Sequence, residues 1–202
     1  TRMPQEVINK LEDCKCIVRN GTGFDTVDVA AATCRDIPVY NVPDYGTDEV
    51  ADQSIALALA LCRQIIPNHE HCKDLGWDVQ NKSKIRRFKD MYFGVIGLGR
   101  IGTSVALKAK ALGFNVCFYD PYIPDGTDKS LSLKRCEKLN DLIDNMDVIS
   151  INCPLTDETH HMIAHKQINR MRSNAFIVNT ARGPIIKKDD LFRALKKGSW
   201  EE

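Results

Sequence analysis

Residues 93–102 read FGVIGLGRIG, and their reading decides the fold. Phe93, Gly94, Val95 and Ile96 form a short apolar run that predicts a buried strand ending at Gly97. Glycines then stand at Gly97, Gly99 and Gly102, the G-x-G-x-x-G spacing that joins strand to helix in dinucleotide-binding βαβ units. The first permits a tight turn, the second lets a pyrophosphate approach the backbone, and the third lets helix and strand pack closely. The helix N-terminus presents unpaired N–H groups and partial positive charge to the phosphates.

The flanking residues fit that motif. Residues 100–113 (RIGTSVALKAKALG) predict a helix with Ile101, Val105, Ala109 and Leu112 on one face and Gly113 as its stop. Residues 115–119 (NVCFY) predict a second buried strand, which ends at Asp120. Asp120 stands 18 residues past the last glycine, where a carboxylate meets the hydroxyls of an adenosine ribose. It would repel a 2′-phosphate, so NAD is expected over NADP.

Strands and helices alternate along the rest of the chain. Strands are predicted at 15–18, 37–41, 147–152 and 175–179. A short helix capped by Asp25 or Thr26 is expected to run to Ala32, with others at 139–143 and ending at Met171. A closing helix over 189–197 has acids first, lysines last and Gly198 behind it. This alternation predicts an α/β protein with a doubly wound parallel sheet of Rossmann type, whose ligands bind at the carboxyl ends of the strands. Gly97, Asp120, Cys153 and the run Thr180, Ala181, Arg182 all fall at those ends.

From Thr47 the pattern turns helical, and residues 50–66 are apolar almost all round (Val50, Ala51, Ile55, Leu57, Leu59, Leu61, Ile65), which predicts burial on most sides, as between two domains. Residues 73–89 lose periodicity. Their Lys82, Lys84, Arg86, Arg87 and Lys89 read as a solvated connector rather than a nucleic-acid patch.

Composition narrows the function classes. With 202 residues, 43% hydrophobic, the chain holds a substantial core, and its net charge of +1 argues against nucleic acid or an anionic membrane as main partner. No apolar run approaches the ~20 residues of a membrane span. No secretory pattern opens the chain, and its start at Thr1 points to part of something longer. Of the eight cysteines, Cys16, Cys62, Cys117 and Cys153 sit in apolar runs as small buried hydrophobes do, so reduced thiols in the cytosol or nucleus are expected. His69, Glu70, His71 and Cys72 form the one cluster that looks like metal ligands; only His69 and Cys72 share a helix face, and no metal is expected.

Arg182 is the charge best placed for chemistry. Its guanidinium forks onto carboxylates, so beside a nicotinamide it can hold a small anionic substrate; the alternative is a structural salt bridge. Residues 19–25, RNGTGFD, predict a tight loop whose N–H groups can face an anion, or an ordinary strand-to-helix turn. His160 and His161 read as polar surface rather than acid/base groups.

Together these motifs resemble the NAD-dependent D-2-hydroxyacid dehydrogenases along nearly the whole chain. The matching pieces are RNGTGFD (19–25), NVP with EVAD (41–43, 49–52), VIGLGRIG (95–102), YDP (119–121), CPLTDETHHMI (153–163) and NTARG (179–183). Within that family, GFNVCFYDPYIPDG and MRSNAFIVNTARG look most like the C-terminal-binding proteins, which are dehydrogenase-like corepressors. EVADQSIALALALCRQI looks more like their microbial dehydrogenase relatives. The family usually carries a glycine where Lys89 and Asp90 stand, which puts that turn's geometry in question.

The resemblance implies roles residue by residue. Arg182 becomes the catalytic, substrate-binding arginine. Gly21, Thr22 and Gly23 face the substrate carboxylate with Arg19 nearby, and Thr22 also reaches the cofactor. Val50, Ile96, Gly97, Leu98, Gly99, Arg100, Ile101, Gly102, Asp120, Cys153, Pro154, Leu155, Thr159, Thr180, Ala181 and Arg182 line NAD. Residues 1–44 become part of a flavodoxin-like substrate-binding domain and 45–202 the NAD-binding domain. The family's proton-relay histidine and its orienting glutamate fall beyond Glu202, so this polypeptide alone is expected to be inactive or nearly so.

Two functions follow. One is hydride transfer between NAD(H) and a small 2-oxo or D-2-hydroxy acid, in a homodimer joined through the 47–66 helix. The other is a corepressor that uses NAD(H) as an assembly ligand, with transcription factors as partners. A glycine loop for S-adenosylmethionine leaves Arg182 and RNGTGFD without a role.

Overall fold

The computed structural model describes residues 2–75 and 85–196. The chain forms two compact units, Thr1–Asp48 and Glu49–Glu202. Lys82 and Lys84 of the connector, and Lys197 and Gly198 at the end of the closing helix, lie outside the described residues.

The first unit contains α1 (Gln5–Ile8), β1 (Ile17–Arg19), α2 (Val29–Thr33) and β2 (Val39–Asn41). The strands pair in parallel, Ile17 opposite Val39 and Arg19 opposite Asn41. Ile8, Ile17, Val27, Ala31, Ala32 and Ile37 fill a small core. Strand side chains alternate between faces, and Val18 and Tyr40 remain 63% and 57% exposed. The same alternation places Cys16 at the surface, against expectation. Helix α2 starts later than expected and is capped by Asp28, whose carboxylate accepts the Ala31 N–H at 2.9 Å. Asp25 and Thr26 belong to the preceding turn.

Helices α3 (Thr47–Cys62) and α4 (Ile65–Leu75) replace the single helix expected over 50–66. Gln64, with φ +51°, breaks them apart. Only Ala51, Ser54, Ile55, Ala58 and Cys62 of α3 are buried, one stripe at helical spacing. Leu57, Leu61, Ile65 and Ile66 remain 39–64% exposed, so burial on most sides is not found. Composition told of an apolar helix without telling which face meets the sheet.

The rest of the second unit runs β3 (Tyr92–Ile96), α5 (Arg100–Ala111), β4 (Asn115–Tyr119), α6 (Thr127–Leu131), β5 (Lys134–Arg135), α7 (Leu139–Ile143), β6 (Val148–Ile151), α8 (His165–Ile168), β7 (Phe176–Asn179) and α9 (Lys188–Lys196). All five strands are parallel, in the order β5-β4-β3-β6-β7. The strand order reverses between β3 and β6, and a crevice opens at the carboxyl ends there. Phe93, Val95, Val116 and Phe118 face α3 and α5, while Ile96, Cys117, Ile149 and Ile151 share the opposite core with Leu142, Ile168 and Ala194 of α7, α8 and α9. Helices thus cover both faces, as parallel strands require.

Two details depart from the sequence pattern. Leu112 is the C-cap of α5 and 41% exposed, because the buried stripe of that helix is Gly102, Val105, Ala106 and Ala109. The turn at Lys89 and Asp90 is a single 3-10 turn, Phe88–Asp90, built without a glycine.

The amino ends of the strands are fastened by Asp147, which is fully buried. Its carboxylate accepts the Tyr92 N–H at 2.7 Å and bonds from Arg86 at 2.5 Å and Arg172 at 2.8 Å. Arg86, expected in a solvated connector, is therefore part of the fold. No helix among the described residues is long and apolar enough to cross a membrane.

Candidate functional site

The turn from β3 to α5 forms the floor of the crevice. Gly97 has φ +87°, a left-handed conformation that side chains resist, and a Cβ there would lie 2.7 Å from the Cys153 nitrogen. A Cβ on Gly102 would lie 1.9 Å from the Gly97 carbonyl oxygen, so only glycine lets the helix seat this close to the turn. Gly99, the N-cap of α5, differs: a Cβ there meets nothing within 4 Å. Two glycines thus serve the chain's own packing, and the third fronts open space at the N-terminus of a 12-residue helix. The N–H groups of its first turn and the helix dipole suit a phosphate, so this turn fits the pyrophosphate of a dinucleotide.

Asp120 ends β4 and is held by backbone donors. One carboxylate oxygen accepts the Leu98 N–H at 2.8 Å and the other the Tyr122 N–H at 2.9 Å. Leu98 contributes through its backbone, because its side chain is buried in the core. Asp120 lines a pocket of about 470 Å³ with Ile96, Gly97, Cys153, Pro154 and Thr159. Tyr119, Pro121, Tyr122, Thr156, Asp157, Glu158 and Met162 complete it, and all of these but Tyr122 stand within the YDP and CPLTDETHHMI motifs. The Tyr122 hydroxyl donates to Glu158 from one loop to the other, which pushes the phenol above its ordinary range. Among the described residues, every charged group lining the pocket is a carboxylate: Asp120, Asp157 and Glu158. Such a wall opposes a 2′-phosphate.

The loop after β6 is tied by Thr159, whose hydroxyl donates to the Pro154 carbonyl at 2.6 Å and accepts the Thr156 N–H at 2.8 Å. Leu155 packs on the core beside it. Burial pushes the Cys153 thiol up to about 11, so it stays a neutral wall of the pocket. His160 and His161 are exposed, their rings 3.8 Å apart.

At the end of β7, Thr180, Ala181 and Arg182 form a turn shaped by Asn179. The Asn179 amide donates to the Arg182 carbonyl at 2.9 Å, and its side-chain oxygen accepts the Ala181 N–H at 3.1 Å. The Arg182 guanidinium is half-buried and donates to the Ala181 carbonyl at 2.8 Å. The positioning role of Asn179 was legible, since asparagine at a strand end bonds its own backbone two residues on. Val50 and Ile101 are half-buried, Arg100 is exposed, and none of the three lines the pocket.

Arg19, Gly21, Thr22 and Gly23 belong to the first unit. Gly21, with φ +155°, uses its N–H on the Arg19 carbonyl at 2.9 Å and accepts the Val42 N–H at 3.3 Å. The Asn41 amide donates to the Thr22 carbonyl at 2.8 Å and so braces the loop. The Arg19 side chain donates to the Asn20 carbonyl.

A model of the D-isomer specific 2-hydroxyacid dehydrogenase NAD-binding domain matches residues 55–202. The chain is 41% identical over 198 residues to the D-3-phosphoglycerate dehydrogenase of Methanocaldococcus jannaschii, covering 98% of this chain and 38% of that one. It is 33% identical over 196 residues to the glyoxylate reductase of Korarchaeum cryptofilum, covering 96% of this chain and 59% of the relative. The D-lactate dehydrogenase of Aquifex aeolicus, solved with NAD and lactic acid, superposes with a TM-score of 0.93 at 31% identity over 98% of this chain and 59% of its own. The chain therefore spans roughly two fifths to three fifths of the length of these relatives. With the glycine turn, Asp120 and the parallel sheet in agreement, the chain belongs to the D-isomer-specific 2-hydroxyacid dehydrogenase NAD-binding domain family.

Proposed function

We propose that this chain is the cofactor-holding part of a dehydrogenase that moves hydride between NAD(H) and a small 2-oxo or D-2-hydroxy acid. The observation that carries the proposal is the juxtaposition, along one sheet edge, of the open Gly99 turn, the backbone-held Asp120 and the Asn179-braced Arg182. When bound, the dinucleotide supplies the hydride chemistry. The chain's residues do the rest. The first-turn N–H groups of α5 hold the pyrophosphate, and Asp120 takes the adenosine ribose hydroxyls. Arg182 orients the substrate carboxylate and stabilises charge as the 2-oxo group is reduced.

The roles of Arg19, Gly21, Thr22 and Gly23 toward the substrate carboxylate are part of the same proposal. Because the Gly21 N–H is already used by Arg19, that task falls to the Thr22 and Gly23 amides. Residues 1–44 are proposed as part of a larger substrate domain. Parallel strands need cover on both faces, and the Val18 and Tyr40 face of β1 and β2 is open. The exposed Leu57, Leu61, Ile65 and Ile66 are proposed as the contact of a homodimer. The corepressor reading, and with it the kinship to C-terminal-binding proteins, is the weaker one, because the two curated relatives above are named as enzymes.

The test is NADH oxidation with a panel of 2-oxo acids, by the 202-residue chain and by the longest reading frame that contains it. Turnover by the longer product, lost about 100-fold or more on Arg182→Ala, supports the proposal. NADH binding without turnover of any 2-oxo acid by the longer product overturns it.

A further inference from the structure

Ser54 is a fully buried hydroxyl in the apolar stripe by which α3 meets the sheet. Its oxygen lies 2.8 Å from the Val50 carbonyl and 2.6 Å from the Thr180 hydroxyl, at the carboxyl end of β7. A serine has one proton to give. The Val50 carbonyl can only accept, so the Ser54 proton goes there and Thr180 donates to Ser54. The arrangement satisfies all three groups, and it leaves the Thr180 oxygen with lone pairs alone for any further neighbour.

We propose that Ser54 is a positioning residue for the nicotinamide end of the site, fixing the Thr180 hydroxyl as an acceptor for the carboxamide N–H of the cofactor. The inference rests on the NAD reading above. Three observations carry it: the burial of Ser54, the two short hydrogen bonds, and the place of Thr180 two residues from Arg182 on one turn. A buried serine in a helix interior is out of keeping with an otherwise apolar stripe, and helix formation does not require it. With alanine at 54, the Thr180 hydroxyl is free to rotate, and its proton can point toward the cofactor instead.

The experiment measures affinity of the 202-residue chain for NAD+, for deamido-NAD+ (a carboxylate in place of the carboxamide) and for ADP-ribose, by titration calorimetry. The proteins are wild type, Ser54→Ala, Thr180→Val and the double variant, with melting temperatures alongside. Ser54→Ala is expected to weaken NAD+ about fivefold, the size of one hydrogen bond, and to leave ADP-ribose unchanged. The preference of NAD+ over deamido-NAD+ should shrink, because a rotating hydroxyl can serve a carboxylate as donor. Thr180→Val should give a similar NAD+ loss, and the double variant should lose little more than either single one. A purely structural serine lowers the melting temperature and leaves the NAD+ to ADP-ribose ratio alone, which overturns the assignment. So does additive loss in the double variant. If wild type binds neither NAD+ nor ADP-ribose, the NAD reading itself fails and takes this inference with it; loss confined to the Ser54 comparison overturns Ser54 only.

Discussion

Replacing Gly102 with alanine tests the packing logic of the glycine turn. The added Cβ lies 1.9 Å from the Gly97 carbonyl oxygen and 2.9 Å from its carbon, and both are backbone atoms that have no rotamer to escape to. Non-bonded contacts of this kind need at least about 3 Å, so the amino end of α5 must retreat by roughly 1 Å. Overpacking of this size costs about 2 kcal/mol, a fall in melting temperature of about 5 °C for a unit of this length. The retreat also lengthens the bonds from the first-turn N–H groups to a pyrophosphate. Losing one or two charge-assisted bonds removes about 3 kcal/mol, which is roughly 100-fold in NADH affinity. Gly99→Ala is the control: its Cβ meets nothing within 4 Å and its φ is −69°, so the fold should keep its melting temperature while NADH binding falls. The assay is NADH fluorescence titration with calorimetric melting on both variants. A Gly102→Ala protein that melts and binds like wild type refutes the reasoning.

Three further outcomes are expected. Asp147→Asn removes a buried charge from between Arg86 and Arg172; with both guanidiniums partly in water, the loss is about 3 kcal/mol and near 10 °C in calorimetry, and a shift under 2 °C would contradict the fastening role. Asn179→Ala frees the Arg182 turn and should weaken NADH binding several-fold while the melting temperature moves little, whereas Asn179→Asp keeps the Ala181 bond and recovers part of the loss in the same titration. Asp190 has its carboxyl held below the ordinary range, chiefly by the His165 N–H at 3.0 Å, then by Lys187 and Arg193. A lowered carboxylate stabilises the fold above its unfolded pKa, near 4, and that contribution fades as pH falls through the lower folded value. The melting-temperature gap between wild type and Asp190→Asn should therefore be constant from pH 6 to 5 and close below about pH 4.

Much of this architecture was legible because its signals are local. The strand run before Gly97, the acidic residue ending β4 and the alternation of strands and helices each reflect a short-range constraint, and together they place Gly97, Asp120, Cys153 and Arg182 at one sheet edge. What was missed depends on partners far apart in sequence. Arg86 looked like any solvated cation until Asp147, 61 residues away, met it at the amino end of β6. Ser54 and Thr180 are 126 residues apart, and no spacing rule links them. The acidic wall of the pocket needed both the loop after β4 and the loop after β6. The residues 50–66 misled for another reason: hydropathy counts apolar side chains, while burial depends on which faces find neighbours, and here only one stripe of α3 does.

The most direct measurement is a titration of the 202-residue chain with NADH and with NADPH under one buffer and salt condition. Binding through the glycine turn and the backbone-held Asp120, against a wall of three carboxylates, predicts saturable NADH binding and at least a tenfold weaker response to NADPH. No binding of NADH, or NADPH bound as tightly, would contradict the account.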